Sequence, residues 1–217
     1  MTSWSGLLRK EWMILRYSLI TFALVFVVIA VSSFAPMAVG GIMDGIELTQ
    51  MFSTMLTLMA ASFFLHSLHT DTKQPDLWLH SPFSIVKLLG AKTFMAILTV
   101  FGGFIIWSGI GVGAYFIGGF AGGIPGLTPL LKVLLNTFLF ISAGLLIWVI
   151  YKILEVRIGW LASLISLIPI SIAVMIWGFL IAVWETLELP VSSIIYIIVS
   201  IALFASGAIL LEKKVRY

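Results

Sequence analysis

Three histidines, His66, His69 and His80, are the side chains of this sequence best suited to bind a metal ion. His66 and His69 are three residues apart, so they would share one face of a helix. A metal site needs a third ligand and supporting groups around it, and neither a cysteine nor a close pair of carboxylates accompanies the histidines. We therefore interpret them as polar residues at a membrane surface and expect no metal site.

Two glycine-containing stretches look briefly like nucleotide-binding loops. Gly90-Ala-Lys-Thr lacks the adjacent glycine and lysine of a P-loop, because Ala91 separates them. The second stretch, from Gly109 to Gly113, has neither the strand nor the spacing of a dinucleotide fingerprint. Gly109 and Gly113 are instead four residues apart on one helix face, a pattern that lets helix backbones approach closely. We predict close helix packing there, within the subunit or across a dimer seam.

The middle of the apolar runs is almost free of ionisable side chains and carries only Ser, Thr and Asn136 as polar residues. Coupled transporters and proton pumps usually keep acids, histidines or arginines there, because such groups are costly in a membrane and are retained for function. This pattern argues against a secondary transporter, a proton pump and an intramembrane hydrolase. The energy that drives the protein is therefore expected to come from another chain.

The elements that position these residues follow from composition. Hydrophobic residues make up 61% of the 217 residues and charged residues only 10%, and there is no cysteine. A soluble domain has about 45–50% apolar and about 25% charged residues, and a membrane-spanning helix needs about 20 residues. We predict an all-α polytopic membrane protein with a single transmembrane domain over residues 1–217. The six predicted spans are about 19–38, 51–68, 88–117, 131–150, 158–183 and 191–211.

Lysines and arginines predict the orientation of these spans. With both termini in the cytoplasm, eleven of the twelve basic residues lie on the inner side and only Lys132 lies outside. An odd number of spans would place the basic C-terminal tail on the outer side. We therefore expect a multi-pass protein of the cell membrane with both ends in the cytoplasm.

Residues 3–17 precede the first apolar run and alternate between apolar and charged side chains. At about 100° per residue, one broad apolar face forms while the basic residues lie off it. This predicts an interfacial elbow helix at the headgroup level. Glu11 falls on the apolar face, so either it pairs with a basic residue of another segment or the helix lies less flat. The residues assigned to the elbow are Trp4, Leu7, Leu8, Arg9, Lys10, Glu11 and Trp12.

Residues 69–87 form the only long cytoplasmic loop of the predicted topology. Pro75 suits the first turn of a helix, Asp76 complements its N-terminus, and Ser81 before a proline ends it. The short helix would expose Leu77 and Trp78, and exposed apolar residues of this kind usually need a partner. The alternative is that Trp78 dips back into the membrane interface.

Two stretches are similar to a known family. Leu7-Leu-Arg-Lys-Glu11 resembles the "leucine-x-Arg-Lys-Glu" start of the permease subunits of ABC transporters of the type-2 exporter class. Asp76-Leu-Trp-Leu-His-Ser-Pro-Phe-Ser84, continuing to Leu88-Leu-Gly-Ala-Lys92, resembles that family's loop "Glu-Leu-Leu-Leu-Ser-Leu-Pro-Val-Ser … Leu-Gly-Lys". The sequence departs from the family pattern at Trp78 and His80.

The resemblance implies a coupling helix that binds in a groove of an ATP-binding subunit at the cytoplasmic face. It also implies a second permease copy or a sister permease, and export of a hydrophobic or amphipathic substrate such as a peptide across the cytoplasmic membrane of a bacterium. ATP and magnesium would be bound by the partner, so this chain is expected to be no enzyme, to hold no cofactor and to contact membrane lipid but no nucleic acid. The residues assigned to coupling are Pro75, Asp76, Leu77, Trp78, Leu79, His80 and Ser81.

Two other functions compete with this hypothesis. A membrane-embedded peptide sensor or immunity protein without a transport cycle would need no ATP-binding partner. An intramembrane enzyme acting on lipid would need clustered acids or histidines, and only His66, His69, Asp71 and Asp76 approach such a cluster.

Overall fold

A computed structural model of the protein describes residues 4–38, 45–72, 84–118, 127–159, 161–162, 167–172, 175, 177–178 and 189–214. Five long helices occupy most of these residues, and the described part of the chain contains no strand. They are α1 (Trp4–Ala38), α2 (Gly45–Thr72), α3 (Ile85–Gly118), α4 (Leu127–Ile158) and α5 (Leu189–Lys214).

Each of these five helices is long and apolar enough to cross a membrane, judged by length and composition. The predicted all-helical class is therefore confirmed for the described residues, which are consistent with a helical membrane protein. The helices contain five of the six predicted spans. The remaining one, 158–183, is described for half of its residues, which include the helical residues 167–172.

The predicted elbow helix and first span are one continuous helix, which corrects the expected division near residue 18. Helix α1 runs for 35 residues without interruption. No glycine or proline occurs between Leu7 and Ala35, so nothing in the sequence breaks the helix or leaves a backbone N–H without a partner.

Helix ends are set by specific residues. The Ser84 hydroxyl accepts a hydrogen bond from the Lys87 backbone N–H at 3.4 Å and the Ser84 carbonyl accepts one from Leu88 at 3.2 Å, so Ser84 caps α3. Helix α3 therefore begins three residues before the predicted span. Gly159, which follows α4, has φ +56°, a left-handed conformation that glycine adopts without steric cost, and its N–H donates to the Glu155 carbonyl at 3.1 Å.

The chain divides into two compact units, the first formed by Met1–Ser67 and Gly90–Thr137. Its core consists of α1, α2 and α3. Near the start of α1, an apolar cluster forms around Leu15, Met59, Phe63 and Met95. Fully buried aromatic rings then meet in a layer: the ring centroids of Phe26 and Phe52 are 5.4 Å apart, as are those of Phe52 and Trp107.

The order of these contacts gives the helix directions within the first unit. The apolar cluster involves Leu15 of α1 and Met95 of α3 with Met59 and Phe63 of α2, and the aromatic layer involves Phe26 and Trp107 with Phe52. From the first level to the second, residue numbers rise along α1 and α3 and fall along α2. Helices α1 and α3 therefore run in the same direction and α2 runs in the opposite one, as the predicted topology requires of the first three spans.

The second unit comprises Leu68–Leu89 and Phe138–Tyr217. Within it, the rings of Phe138 and Phe204 stack with centroids 6.1 Å apart. Farther along both helices, Leu145 lies against Gly207, where an added Cβ would be 3.0 Å from its Cγ. From the first contact to the second, residue numbers rise along both helices, so α4 and α5 run in the same direction. The six-span prediction requires this of the fourth and sixth spans.

Candidate functional site

A buried charged network joins the three helices of the first unit. Glu11 of α1, Ser67 of α2 and Lys92 of α3 are completely or almost completely buried. The Lys92 ammonium donates to Glu11 Oε1 at 3.0 Å and to Ser67 Oγ at 2.5 Å, and the Ser67 hydroxyl donates to Glu11 Oε2. Each helix supplies one member, so the network binds α1, α2 and α3 together at one level.

This network answers the question that Glu11 raises in the sequence. Of the two expected explanations, the structure shows the first: Glu11 pairs with a basic residue of another segment. Removing two charges from water costs several kcal/mol per ion, and the cost is offset only when the ions also satisfy their hydrogen bonds. Ser67 contributes to this by accepting a hydrogen bond from Lys92 and donating one to Glu11.

The network is suited to holding helices rather than to covalent chemistry. Lys92 donates to the Glu11 carboxylate and to the Ser67 hydroxyl, and Ser67 donates to the same carboxylate, so the hydrogen bonds of both side chains are directed within the network. In addition, Ser67 has no exposed surface at which a substrate could reach its hydroxyl. We therefore assign the three residues to the assembly of the helices.

The network and the aromatic layer share one register. Fifteen residues separate the two layers along each helix: Glu11 from Phe26 in α1, Ser67 from Phe52 in α2, and Lys92 from Trp107 in α3. The aromatic residue comes later in the chain in α1 and α3 and earlier in α2. Fifteen helical residues span about 22 Å, so the charged layer and the aromatic layer are separated by most of the apolar thickness of a bilayer, about 30 Å. The three helices therefore keep the same spacing between these two levels.

The predicted elbow residues divide between two environments. Leu7 is buried and Leu8 partly buried within the protein, as are Leu15 and Ile14 farther along the same face. This face thus packs against other helices, whereas the elbow prediction placed it against lipid. The two tryptophans are about half exposed, at 46% for Trp4 and 51% for Trp12.

The basic residues of the predicted elbow lie away from the buried face. Arg9 is exposed and Lys10 is partly buried. Arg16 is exposed as well, and its Nη2 donates to the Tyr17 hydroxyl at 3.0 Å. The start of α1 therefore combines a face packed within the protein with a face that presents arginines outward.

The residues assigned to coupling, Pro75 to Ser81, lie outside the described residues. The helices on either side are described: α2 ends at Thr72, and α3 begins at Ile85 after its Ser84 cap. The assignment of a coupling helix therefore stays a prediction, and only its two flanking helices have a known structure.

The glycine pair singled out in the sequence is not where the described helices approach closely. No described atom lies within 4 Å of a Cβ added at Gly109 or Gly113, so the predicted packing within the subunit is not seen there, and the dimer seam stays a prediction. The close contacts are at Gly103, where a Cβ would collide with Leu56, and at Gly207. Among the described residues, the close contacts therefore involve glycines outside the motif.

The histidines show no metal-binding arrangement in the described residues. His66 and His69 are both exposed, and His69 lies close enough to Glu155 of α4 to interact with its charge. Among the described residues no group of three histidine, cysteine or acidic side chains could hold a metal ion. His80 lies outside the described residues.

Sequence reasoning missed Ser67, and although Lys92 ends the second family-like stretch, it was not recognised as the partner of Glu11. The signal for Lys92 was its position, because it lies inside the third predicted span, 88–117, where a charged residue normally requires a partner. Ser67 gave no comparable signal, since serines occur throughout the apolar runs and can satisfy their hydroxyl locally. Ser62, for example, donates to the Leu58 carbonyl of its own helix.

No protein-family model, no curated protein and no solved structure matches this chain. The case for a function therefore depends on its own residues and their geometry.

Proposed function

We propose that this chain is the membrane-spanning permease subunit of an ATP-driven ABC exporter of the type-2 class. It would move a hydrophobic or amphipathic substrate, such as a peptide, out of the cell. A separate ATP-binding subunit would hydrolyse ATP, and a second permease copy or a sister permease would complete the translocation pathway. The chain would then transmit motion and would carry out no chemistry itself.

The contact between Glu11 and Lys92 is the observation that carries this proposal. Glu11 ends the first of the two stretches that resemble the family, and Lys92 ends the second. The two residues are 81 positions apart in the sequence and form a buried ion pair at 3.0 Å. Their contact gives a physical reason for both stretches to occur in one chain.

The position of the network also suits the transmission of force. Ser67 lies five residues before α2 ends, and Lys92 lies seven residues after α3 begins. These two helices flank the segment 75–81 that is proposed to contact the ATP-binding subunit. A displacement of that segment would act on α2 and α3, and Glu11 bonds to both helices and so links them to α1.

The test is purification of the intact, affinity-tagged chain from its native membrane in a mild detergent, followed by identification of the proteins that accompany it. We expect a stoichiometric ATP-binding subunit whose ATP hydrolysis depends on the chain. Trp78→Ala should weaken that association or uncouple hydrolysis from transport while the chain remains folded. Val86→Ala is the control, because Val86 is an exposed apolar residue close to the same segment in sequence.

Two results would contradict the proposal in different ways. If Trp78→Ala and Val86→Ala behaved alike, segment 75–81 would not be the coupling element. If no ATP-binding subunit accompanied the chain under conditions that preserve weak complexes, the permease role would be wrong. Function in cells without any ATP-binding partner would then support a peptide sensor or an immunity protein.

A further inference from the structure

An apolar groove of about 200 Å³ lies in the first unit, between α1 and α3. Its walls are formed by Trp12, Leu19 and Ala23 of α1 and by Leu98 and Gly102 of α3. A polar side chain in its lining, Thr99, donates its hydroxyl to the Met95 carbonyl of its own helix at 2.9 Å. The groove therefore offers contact to hydrocarbon and little to a polar ligand.

The groove has the length of one membrane leaflet. It extends from Trp12 to Ala23 along α1 and from Met95 to Ile106 along α3, which is eleven residues on each helix. Eleven helical residues rise about 16 Å, close to half of the roughly 30 Å hydrocarbon thickness of a bilayer. A cavity of this length and polarity fits an extended acyl chain.

One end of the groove carries positive charge. Arg9 and Arg16 are exposed and lie on either side of Trp12, within about 60° of its direction at about 100° per residue. A guanidinium has five N–H groups, and Arg16 donates one of them to Tyr17. Both arginines therefore keep N–H groups for a further acceptor. Glu11, the only acid of α1, is buried against Lys92 and does not cancel their charge.

Trp12 is the lining residue nearest to the start of α1, with Arg9 three residues before it and Arg16 four residues after it. It lines the groove and is about half exposed. Tryptophans are enriched at the boundary between headgroups and hydrocarbon, because the ring is apolar and its N–H is polar. Both arginines therefore lie within about one turn of the residue at which the groove begins, and the apolar lining continues from Leu19 to Ala23, which suits a phospholipid whose headgroup contacts the arginines and whose acyl chain follows the groove.

We propose that this groove binds one phospholipid with an anionic headgroup, from the leaflet on the side where α1 begins. An acyl chain lies between α1 and α3, and the headgroup contacts Arg9 and Arg16. The anionic preference follows from the two arginines, because basic residues at a membrane surface attract anionic lipid. This lipid site does not depend on the proposed transport function.

The experiment measures retained lipid by native mass spectrometry. The intact chain is purified in detergent with equal amounts of phosphatidylglycerol and phosphatidylcholine that carry identical acyl chains. The wild-type chain should retain phosphatidylglycerol in preference, by on the order of tenfold for two basic residues at the surface. Arg9→Gln combined with Arg16→Gln should remove this preference, whereas Lys10→Gln, which removes a charge from the same helix about 160° away from Trp12, should keep it.

A second pair of variants tests the groove itself. Gly102→Leu should abolish retention of both lipids by filling the groove, and no described atom lies within 4 Å of the added Cβ. Gly109→Leu is the matched control, since its Cβ position on the same helix is equally open and it does not line the groove. It should bind lipid as the wild type does.

Two results would overturn the proposal. The first is equal retention of the two lipids by the wild-type chain. The second is unchanged retention in Gly102→Leu, and if that variant also lost a dimer, a second copy of the chain would be the occupant of the groove.

Discussion

Replacing Lys92 by methionine would leave the Glu11 carboxylate buried without its counter-ion. Both side chains have no exposed surface in the wild-type chain, so water cannot replace the lost interaction. Removal of one partner from a buried ion pair costs about 3–5 kcal/mol. At about 2–4 °C per kcal/mol for a chain of this size, Lys92→Met should lower the thermal unfolding midpoint in detergent by roughly 6–20 °C.

The double variant Glu11→Gln with Lys92→Met removes both charges at nearly constant volume. Replacement of a buried ion pair by neutral groups is often close to neutral for stability, because the desolvation cost disappears together with the attraction. The double variant should therefore be more stable than Lys92→Met alone. Thermal unfolding of the wild type, the two single variants and the double variant yields the coupling energy, expected at up to about 3 kcal/mol.

The pair Lys152–Glu155 is the matched control. Its N–O distance is 2.6 Å, but its side chains are 23% and 41% exposed. Lys152→Met should cost less than about 1 kcal/mol, since exposed ion pairs contribute little. If Lys92→Met were no more destabilising than Lys152→Met, or if the single changes at Glu11 and Lys92 were additive, the network would not hold the three helices together.

Two further predictions concern packing in the first unit. Gly103→Ala should lower the free energy of unfolding by about 1–3 kcal/mol because the added methyl group collides with Leu56, whereas Gly102→Ala should leave it nearly unchanged; denaturant unfolding of both variants checks this. Phe26→Ala should cost about 3–5 kcal/mol because it leaves a cavity in the aromatic layer, and the same truncation of the exposed Phe94 should cost far less, which thermal unfolding of the two variants decides.

The helical class and the approximate spans could be predicted from composition because a continuous apolar run of about 20 residues has few other stable structures. The ends of the helices were less predictable. Helix α3 starts earlier than its apolar run because the Ser84 hydroxyl caps it, and a cap depends on local hydrogen bonds rather than on hydropathy. Five of the predicted spans nevertheless lie within described helices.

The start of α1 shows why an apolar face does not reveal what covers it. The periodicity correctly placed Leu7, Leu8 and Leu15 on one side of a helix, and the elbow prediction assigned that side to lipid. In the structure the same side packs against α2 and α3. Amphipathic spacing is the same in both cases, so the residue that pointed to a protein neighbour was Glu11, which needed a charged partner.

The partner of Glu11 could not be chosen from the sequence. Several basic residues were candidates, and helix periodicity gives the direction of a side chain without saying which helices are neighbours. The three-dimensional register of α1, α2 and α3 selects Lys92. The glycines follow the same rule, since Gly103 meets Leu56 through helix register whereas the Gly109 motif faces open space among the described residues.

Cross-linking from position 78 tests the central claim most directly, because the chain has no cysteine and one introduced thiol is unique. Trp78→Cys would be labelled with a thiol-specific photo-cross-linker in native membranes, and the adducts identified by mass spectrometry. We predict an adduct with an ATP-binding protein that is absent when the label is placed by Leu127→Cys, at an exposed residue that begins α4. Adducts with lipid alone, or the same protein adduct from both positions, would contradict the assignment of this chain as an ABC permease coupled through residues 75–81.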